Sequence, residues 1–176
     1  MKSINNIFKK VCILAIVTSM AGCDMLDTKP YDFVAPETFY KNETDCTMAL
    51  AGVYWTMAAE HVYGNRYSCM LSNIDDLSYY YRQNQTSAVV ANSHNTGNTD
   101  LWYTWESLYS GINNANVLLD NIDGASISDE KVRARIKGEA KFLRAYYHFL
   151  LVQGWYEVPI RKETVKDIFT NYLQER

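Results

Sequence analysis

Apolar positions recur along this chain in four separable patterns. The first is a run from Val11 to Met20 behind a basic start that carries Lys2, Lys9 and Lys10. A bilayer span needs about 20 apolar residues, so this run is too short to cross a membrane and reads instead as the core of an export signal. The second pattern places Cys46, Leu50, Val53 and Met57 at steps of four, three and four. That spacing lays one apolar stripe on a helix, with Thr44 as the expected N-cap and Asp45 in the first turn. The third takes up Leu101, Trp105, Leu108, Ile112, Ala115, Leu119 and Ile122 in alternating steps, starting near Asp100 and stopping at a Gly124 C-cap. The fourth is Ile136, Ala140, Leu143, Tyr147 and Leu150, capped by Ser126 or Ser128, with Asp129 and Glu130 favouring the helix N-terminus. The step Val158-Pro159 should end it, since proline breaks the backbone ladder.

A short connection between two long amphipathic helices predicts an antiparallel hairpin. Gly111, Ala115, Gly138, Ala140 and Ala145 are small enough to let the helices approach closely. No strand alternation is strong anywhere. The expected fold is all-α, with tetratricopeptide-like antiparallel helix pairs, although no clean 34-residue repeat recurs. Residues 61–99 break the pattern. Gly64, Asn65, Ser72, Asn73 and the run from Asn92 to Asn98 are loop-formers, which predicts a long irregular segment. Such a segment inside a compact domain is usually functional or disordered, and this one is too aromatic to be simply disordered.

The sequence Met20-Ala21-Gly22-Cys23 sharpens the reading of the N-terminus. Small residues directly before a cysteine resemble a bacterial lipobox, where lipid is attached to the thiol and the chain is cut before it. The expected layout is therefore a signal peptide over 1–22 and a lipid tether over 23–43. A helical domain follows over 44–160, and a charged tail over 161–176. The stretch Asp24 to Pro36, with Pro30 and Pro36, suits an extended tether. Removing 22 of the 176 residues leaves 154, enough for one sizeable core. Three lysines and no acid depart with the signal, so the formal charge moves from −3 to −6. That balance, with no basic cluster in the mature chain, argues against nucleic acid as a partner.

Candidate chemistry is sparse. Of four cysteines, Cys12 leaves with the signal and Cys23 takes the lipid. Cys46 and Cys69 could pair in an exported compartment, or Cys46 could be a buried free thiol on its helical stripe. His61, His94 and His148 stand apart from any cysteine or carboxylate at ligand spacing, so neither a metal nor another cofactor is expected. Asn42 and Asn84 head glycosylation sequons, which mean little in a bacterial exporter. Asp75 and Asp76 are adjacent, a poor arrangement for two carboxyls that must flank one scissile bond. There is no nucleophile elbow, phosphate loop or histidine dyad, so the expectation is a binding protein and not an enzyme.

Fourteen tyrosines and four tryptophans suit either recognition surfaces or large helical cores. The segment Asp75 to Arg82 decides where recognition is expected. Sugar rings present C–H faces that stack on aromatic planes, while carboxylate, amide and guanidinium groups bond their hydroxyls. Asp76, Tyr79, Tyr80, Tyr81 and Arg82 supply that mixture in one loop. The alternative is that one or two of these tyrosines pack on the helices and the acids cap a turn. Trp102 lies off the 101-105-108 stripe and is expected to be exposed beside this loop, whereas Trp105 is expected in the core. Arg144 is expected to be structural, paired with a carboxylate or stacked on a ring.

Several motifs now fall into one order. Cys23 is followed by Leu26-Asp27, Pro30, Phe39-Tyr40, Ala49-Leu50 and Gly52-Val53-Tyr54. Trp105, Tyr109, Ile112, Ala115-Asn116 and Leu118-Leu119 fit the pattern W-x3-Y-x2-I-x2-A-N-x-L-L. Gly138-Glu139-Ala140, Phe142 to Tyr147, Phe149 and Val158-Pro159 follow. Over about residues 20–160 the chain resembles the N-terminal part of the SusD/RagB family of lipid-anchored outer-membrane glycan-binding proteins. The resemblance implies an outer-membrane, surface-exposed location and an anchor at Cys23. It implies an oligosaccharide or peptide cargo and delivery to a SusC-like TonB-dependent transporter. In that family the loop-to-helix region often contributes aromatic and polar glycan contacts, which draws attention to Asp76, Arg82 and Trp102. Two departures stand out. Family members are typically about three times longer, so an internal deletion, a truncated gene or a small natural variant is expected. The family also tends to have glycine after an aromatic just before the V-P step, where this chain reads Gly154-Trp155-Tyr156-Glu157. The tail from Val165 to Arg176 resembles a helix near the family's C-terminus. The alternatives to glycan capture are a helical interaction lipoprotein or a fragment without function.

Overall fold

The computed structural model describes residues 39–68, 77 and 93–164, all within one compact unit, Pro36–Arg176. Three long helices dominate: α1 over Glu43–Ala58, α2 over Thr99–Asn121 and α3 over Glu130–Trp155. The described residues contain no strand, only an isolated parallel bridge between Asn42 and Ser126. The expected all-α fold is what forms.

Helix α1 starts before Thr44 because Asn42 is the stronger cap. Its side-chain carbonyl accepts from the Asp45 N–H at 3.0 Å, while the Asp45 carboxylate accepts from the Lys41 N–H at 3.0 Å. The expected stripe holds for Cys46, Leu50 and Val53, each buried, with Met57 partly buried at the edge. Cys46 is a buried free thiol, and burial pushes its pKa up. Past α1 the chain makes a wide turn over Glu60–Gly64, followed by a helical turn at residues 66–68, so the expected irregular segment is helical where it begins. Gly64 is required there. A β-carbon on it would lie 2.6 Å from the Ala58 carbonyl oxygen.

Helix α2 is capped by Asn98, whose side chain accepts from the Leu101 N–H at 3.0 Å. At its far end the chain tightens into a 3-10 turn over Ile122–Gly124. Gly124 does not take the left-handed conformation of a glycine C-cap, since no described glycine has positive φ. Arg133 ties down that end instead. Its guanidinium donates to the carbonyls of Ile122, Ala125 and Ile127 and also pairs with Glu130. Asp129, not either serine, caps α3 by accepting from the Lys131 N–H at 2.8 Å. Ser126 serves elsewhere: its N–H donates to the Lys41 carbonyl at 2.8 Å and joins this loop to the start of α1.

Helices α2 and α3 form the expected antiparallel hairpin. Contacts run in opposite order along the two helices: Asp123 with Lys137, Asn116 with Arg144, Tyr109 with His148 and Trp105 with Trp155. Leu108, Ile112, Ala115 and Leu118 on α2 face Ile136, Ala140, Leu143, Tyr147 and Leu150 on α3, with Val53 and Leu50 closing the core from α1. Leu118 takes the fully buried place and Leu119 only borders it. Of the small residues, Gly111 sits at a close approach. A β-carbon there would lie 2.6 Å from Thr56 Cγ2 and 2.8 Å from Tyr147 Cε2. Gly138 and Ala145 face outward, because the hairpin's apolar stripe passes them by.

Helix α3 ends at Trp155. Tyr156 follows with φ 65° and ψ −83°, a conformation costly for a residue with a β-carbon. The missing glycine before the V-P step is therefore felt as local strain, three residues ahead of Pro159.

Two substitutions test this packing by urea or thermal unfolding monitored by circular dichroism. Gly111→Ala is expected to destabilise by about 1–3 kcal/mol, because the new methyl overfills a three-helix contact. Tyr156→Gly is expected to stabilise by about 1 kcal/mol, since Tyr156 is 82% exposed and loses little packing.

Candidate functional site

The first turn of α2 carries an exposed aromatic platform. Trp102 is 63% exposed, as its place off the apolar stripe predicts. Beside it Tyr103, 44% exposed, stacks on the His61 ring at 4.7 Å and 18°. The turn after α1 is held here by polar contacts. The Thr104 hydroxyl lies 2.9 Å from the His61 carbonyl and 2.8 Å from the Asp100 carbonyl. Arg66 reaches Asp100 at 3.2 Å and Glu60 at 3.6 Å. These ion pairs are partly exposed and contribute little stability. Their chemical value is different: they hold a guanidinium and two carboxylates where this turn meets the first turn of α2, at which the Tyr103 ring also stacks on His61.

Asp76, Tyr79, Tyr80, Tyr81 and Arg82 lie outside the described residues, as do Cys69 and Cys23. Of the expected site residues, Trp102 is the one the structure places. Tyr103, His61, Arg66 and Asp100 join it without having been singled out. Tyr103 shares the off-stripe position of Trp102 and was legible on that ground. His61 and Arg66 come from another element, and no local spacing marks them.

The motif residues converge elsewhere, on the strap formed by residues 158–164. Tyr109 donates its hydroxyl to the Pro159 carbonyl at 2.8 Å. Asn116 donates its amide to the Glu163 carbonyl at 2.9 Å and accepts from Arg144 Nη1 at 2.8 Å. Arg144 Nη1 also donates to the Lys162 carbonyl at 2.8 Å. The expected carboxylate or aromatic partner for Arg144 is thus replaced by an amide and a backbone carbonyl, because the strap folds back over it. His148 completes the clasp. Its Nδ1 lies 2.8 Å from the Arg144 carbonyl and must carry a proton, while Nε2 accepts from the Arg161 N–H at 3.1 Å. The Nε2 contact needs the neutral ring, since a charged ring has no acceptor there, and burial holds its pKa below the usual histidine value. Burial likewise pushes the Tyr109 phenol up to about 12, against the pull of Arg161, whose guanidinium lies 5.5 Å from the ring centroid.

Under the strap a cleft of about 180 Å³ opens between Tyr109, Ile112, Asn113, Asn116, Arg161 and Glu163. Among the described residues, no group of three or more histidine, cysteine or acidic side chains is gathered as a metal would require, and no helix is long and apolar enough to cross a membrane.

A family model described as starch-binding, associating with the outer membrane, matches residues 24–175. The chain belongs to this SusD-like family. It is 30% identical over 158 residues to SusD-like protein P25 of Formosa agariphila, covering 84% of this chain and 30% of that protein. It is 26% identical over 161 residues to SusD-like protein P2 of the same organism, covering 90% of this chain and 32% of the other. A solved SusD homolog from Bacteroides thetaiotaomicron superposes with a TM-score of 0.62 at 26% identity. The match covers 73% of this chain and 25% of that one. The SusD-like chain therefore spans about a third of the length of these curated relatives. Three of the motif residues by which the family shows in the sequence, Tyr109, Asn116 and Arg144, help to build the clasp.

The clasp makes stability depend on pH. His148 has a lowered pKa in the folded state against about 6.5 unfolded, so the unfolded chain binds the proton more readily. Its contribution is complete above about pH 6.5 and is lost as pH falls below that value. The thermal midpoint is expected to fall between pH 7.5 and 5.5, with a shallower slope in His148→Gln. Parallel slopes in the two proteins would contradict the assignment.

Proposed function

We propose that this SusD-like chain works as a surface lipoprotein, tethered at Cys23, that captures oligosaccharides without catalysis and passes them to a SusC-like TonB-dependent transporter. The observation that carries the reading is the platform at the start of α2. Trp102 and Tyr103 offer flat apolar faces to sugar C–H groups, and Arg66 and Asp100 offer bonds to hydroxyls. Asp76, Tyr79, Tyr80, Tyr81 and Arg82, whose residue types suit sugar contacts, are part of the same proposal. Capture by stacking needs shape and planes rather than reactive groups. Tethering at the membrane would raise the local concentration of cargo beside a transporter. The family's description, starch-binding and associating with the outer membrane, supports sugar capture at that membrane.

The test is glycan-array binding followed by isothermal titration with the 23–176 chain. Trp102→Ala is expected to weaken binding about tenfold with an unchanged circular dichroism spectrum, on the scale of a lost aromatic stack. Binding that survives substitution of Trp102 and of all three tyrosines at 79–81 would sink the platform. In cells, Cys23→Ala is expected to shift the protein from the membrane to the soluble fraction.

One observation favours a docking role instead. Phe142, Tyr146 and Phe149 form an outward row on α3, with rings 6.3 and 6.4 Å apart, and Phe142 is 67% exposed. That reading predicts no glycan binding at all.

A further inference from the structure

Helix α3 is apolar on two faces. Ile136, Ala140, Leu143, Tyr147 and Leu150 form the buried stripe that packs against α1 and α2. Two residues further on, Gly138, Phe142, Ala145, Phe149 and Val152 repeat the same steps of four and three, and all of them are exposed. An offset of two residues turns about 200° around a helix, so the second stripe looks away from the core. A helix that is apolar on opposite sides is one that buries both. Among the described residues, only the first stripe is covered.

The outer stripe is matched to itself. Consider it antiparallel to a second copy, with Phe142 opposite the partner's Ala145. The same register sets Phe149 opposite the partner's Gly138. Each ring then meets a small residue, the knobs-into-holes packing of paired helices. A β-carbon added to Gly138 would meet nothing within 4 Å, so its hole is open. The knobs are also braced. The Phe142 and Phe149 rings flank Tyr146 at 6.3 and 6.4 Å, and the Tyr146 hydroxyl bonds to that of Tyr63 at 2.6 Å. A parallel pairing would instead set ring on ring and glycine on glycine. Charge selects the same direction. Lys131 and Arg135 precede the stripe at its own spacing, and Glu157 follows it, all of them exposed. Asp129 and Glu130 beside them are engaged, one in capping α3 and the other with Arg133. Antiparallel pairing brings the basic start of one copy to the acidic end of the other, whereas parallel pairing stacks like on like.

The available area suits a modest dimer. An aromatic side chain buries about 150–250 Å², so Phe142 and Phe149, at 67% and 54% exposure, together offer about 180–300 Å². A standard interface takes about 800 Å² from each partner. Val152, Lys131, Arg135, Lys141 and Gln153, exposed along this side of α3, bring the stripe towards that size and not beyond it.

We propose that the outer stripe of α3 seats the same stripe of a second copy, forming a symmetric antiparallel dimer of micromolar affinity. The proposal concerns the row behind the docking reading and stands whether or not Trp102 binds sugar. Its test is analytical ultracentrifugation of the 23–176 chain from about 1 to 300 μM, under reducing conditions so that no disulfide joins the copies. A reversible monomer–dimer equilibrium is expected, with no larger species, because a two-fold contact closes on itself. Phe142→Ser combined with Phe149→Ser is expected to weaken association at least about tenfold with an unchanged circular dichroism spectrum. Gly138→Leu is the sharper variant. It makes the stripe more apolar and the helix more stable, so unspecific stickiness would tighten association. Filling the hole is expected to weaken association at least about tenfold, with an equal or higher thermal midpoint. Lys131→Glu and Glu157→Lys are each expected to weaken it about two- to fivefold, and the double variant to restore it. A wild type that stays monomeric over the whole range would overturn the proposal and leave the row to another occupant, such as the part of the longer relatives that this chain does not span. Equal or tighter association in Gly138→Leu would overturn the register, as would a double charge variant no better than its parents.

Discussion

The contact that sets the rest of the structure is the meeting of three helices at Gly111. Helix α2 can lie against both neighbours because Gly111 brings no β-carbon between Thr56 of α1 and Tyr147 of α3. Tyr147 is fully buried, and its hydroxyl donates to the Val53 carbonyl at 2.6 Å, so the same ring that packs on α2 bonds to α1. Burial pushes that phenol up to about 12 and keeps it a donor. With the junction fixed, the apolar stripes on α2 and α3 interlock in one register. The start of α2 then comes to lie beside the turn after α1, and the aromatic platform forms there.

A second layer of polar contacts holds what the apolar core cannot. Residues 158–164 anchor in the core through Val158 alone, and beyond it their backbone groups are held by Tyr109, Asn116, Arg144 and His148. A buried amide or guanidinium left unpaired is costly, so each partner depends on the others. Tyr109, Asn116 and Arg144, three residues of the motifs by which the family shows, hold the strap, and the strap in turn walls the cleft.

The helices were largely legible in the sequence, because burial of an apolar stripe is a local and periodic demand. Their ends were less so. Asn42 and Asp129 displaced Thr44 and the two serines because several polar residues near each end compete for the same N–H groups, and only backbone geometry chooses among them. Gly124 was a reasonable C-cap until Arg133 supplied a different way to satisfy the carbonyls. The exposure of Trp102 could be read from its place off the stripe, and Tyr103 could have been found in the same way. The ring of His61 against Tyr103, and Arg66 against Asp100, could not, since their sequence separation is set by the fold alone.

The sequence by itself determined the three amphipathic helices, the hairpin and the family, because these follow from spacing along one chain. Its lipobox-like Met20 to Cys23 and its aromatic segment Asp75 to Arg82 are expectations that fall outside the described residues, Leu77 aside. The tertiary structure decided which small residue lies at a helix crossing, what Arg144 binds and where a strap encloses polar atoms. Each of these depends on groups far apart in sequence arriving within a few ångströms of one another, a condition set by the packing of all three helices and by no residue's immediate neighbours.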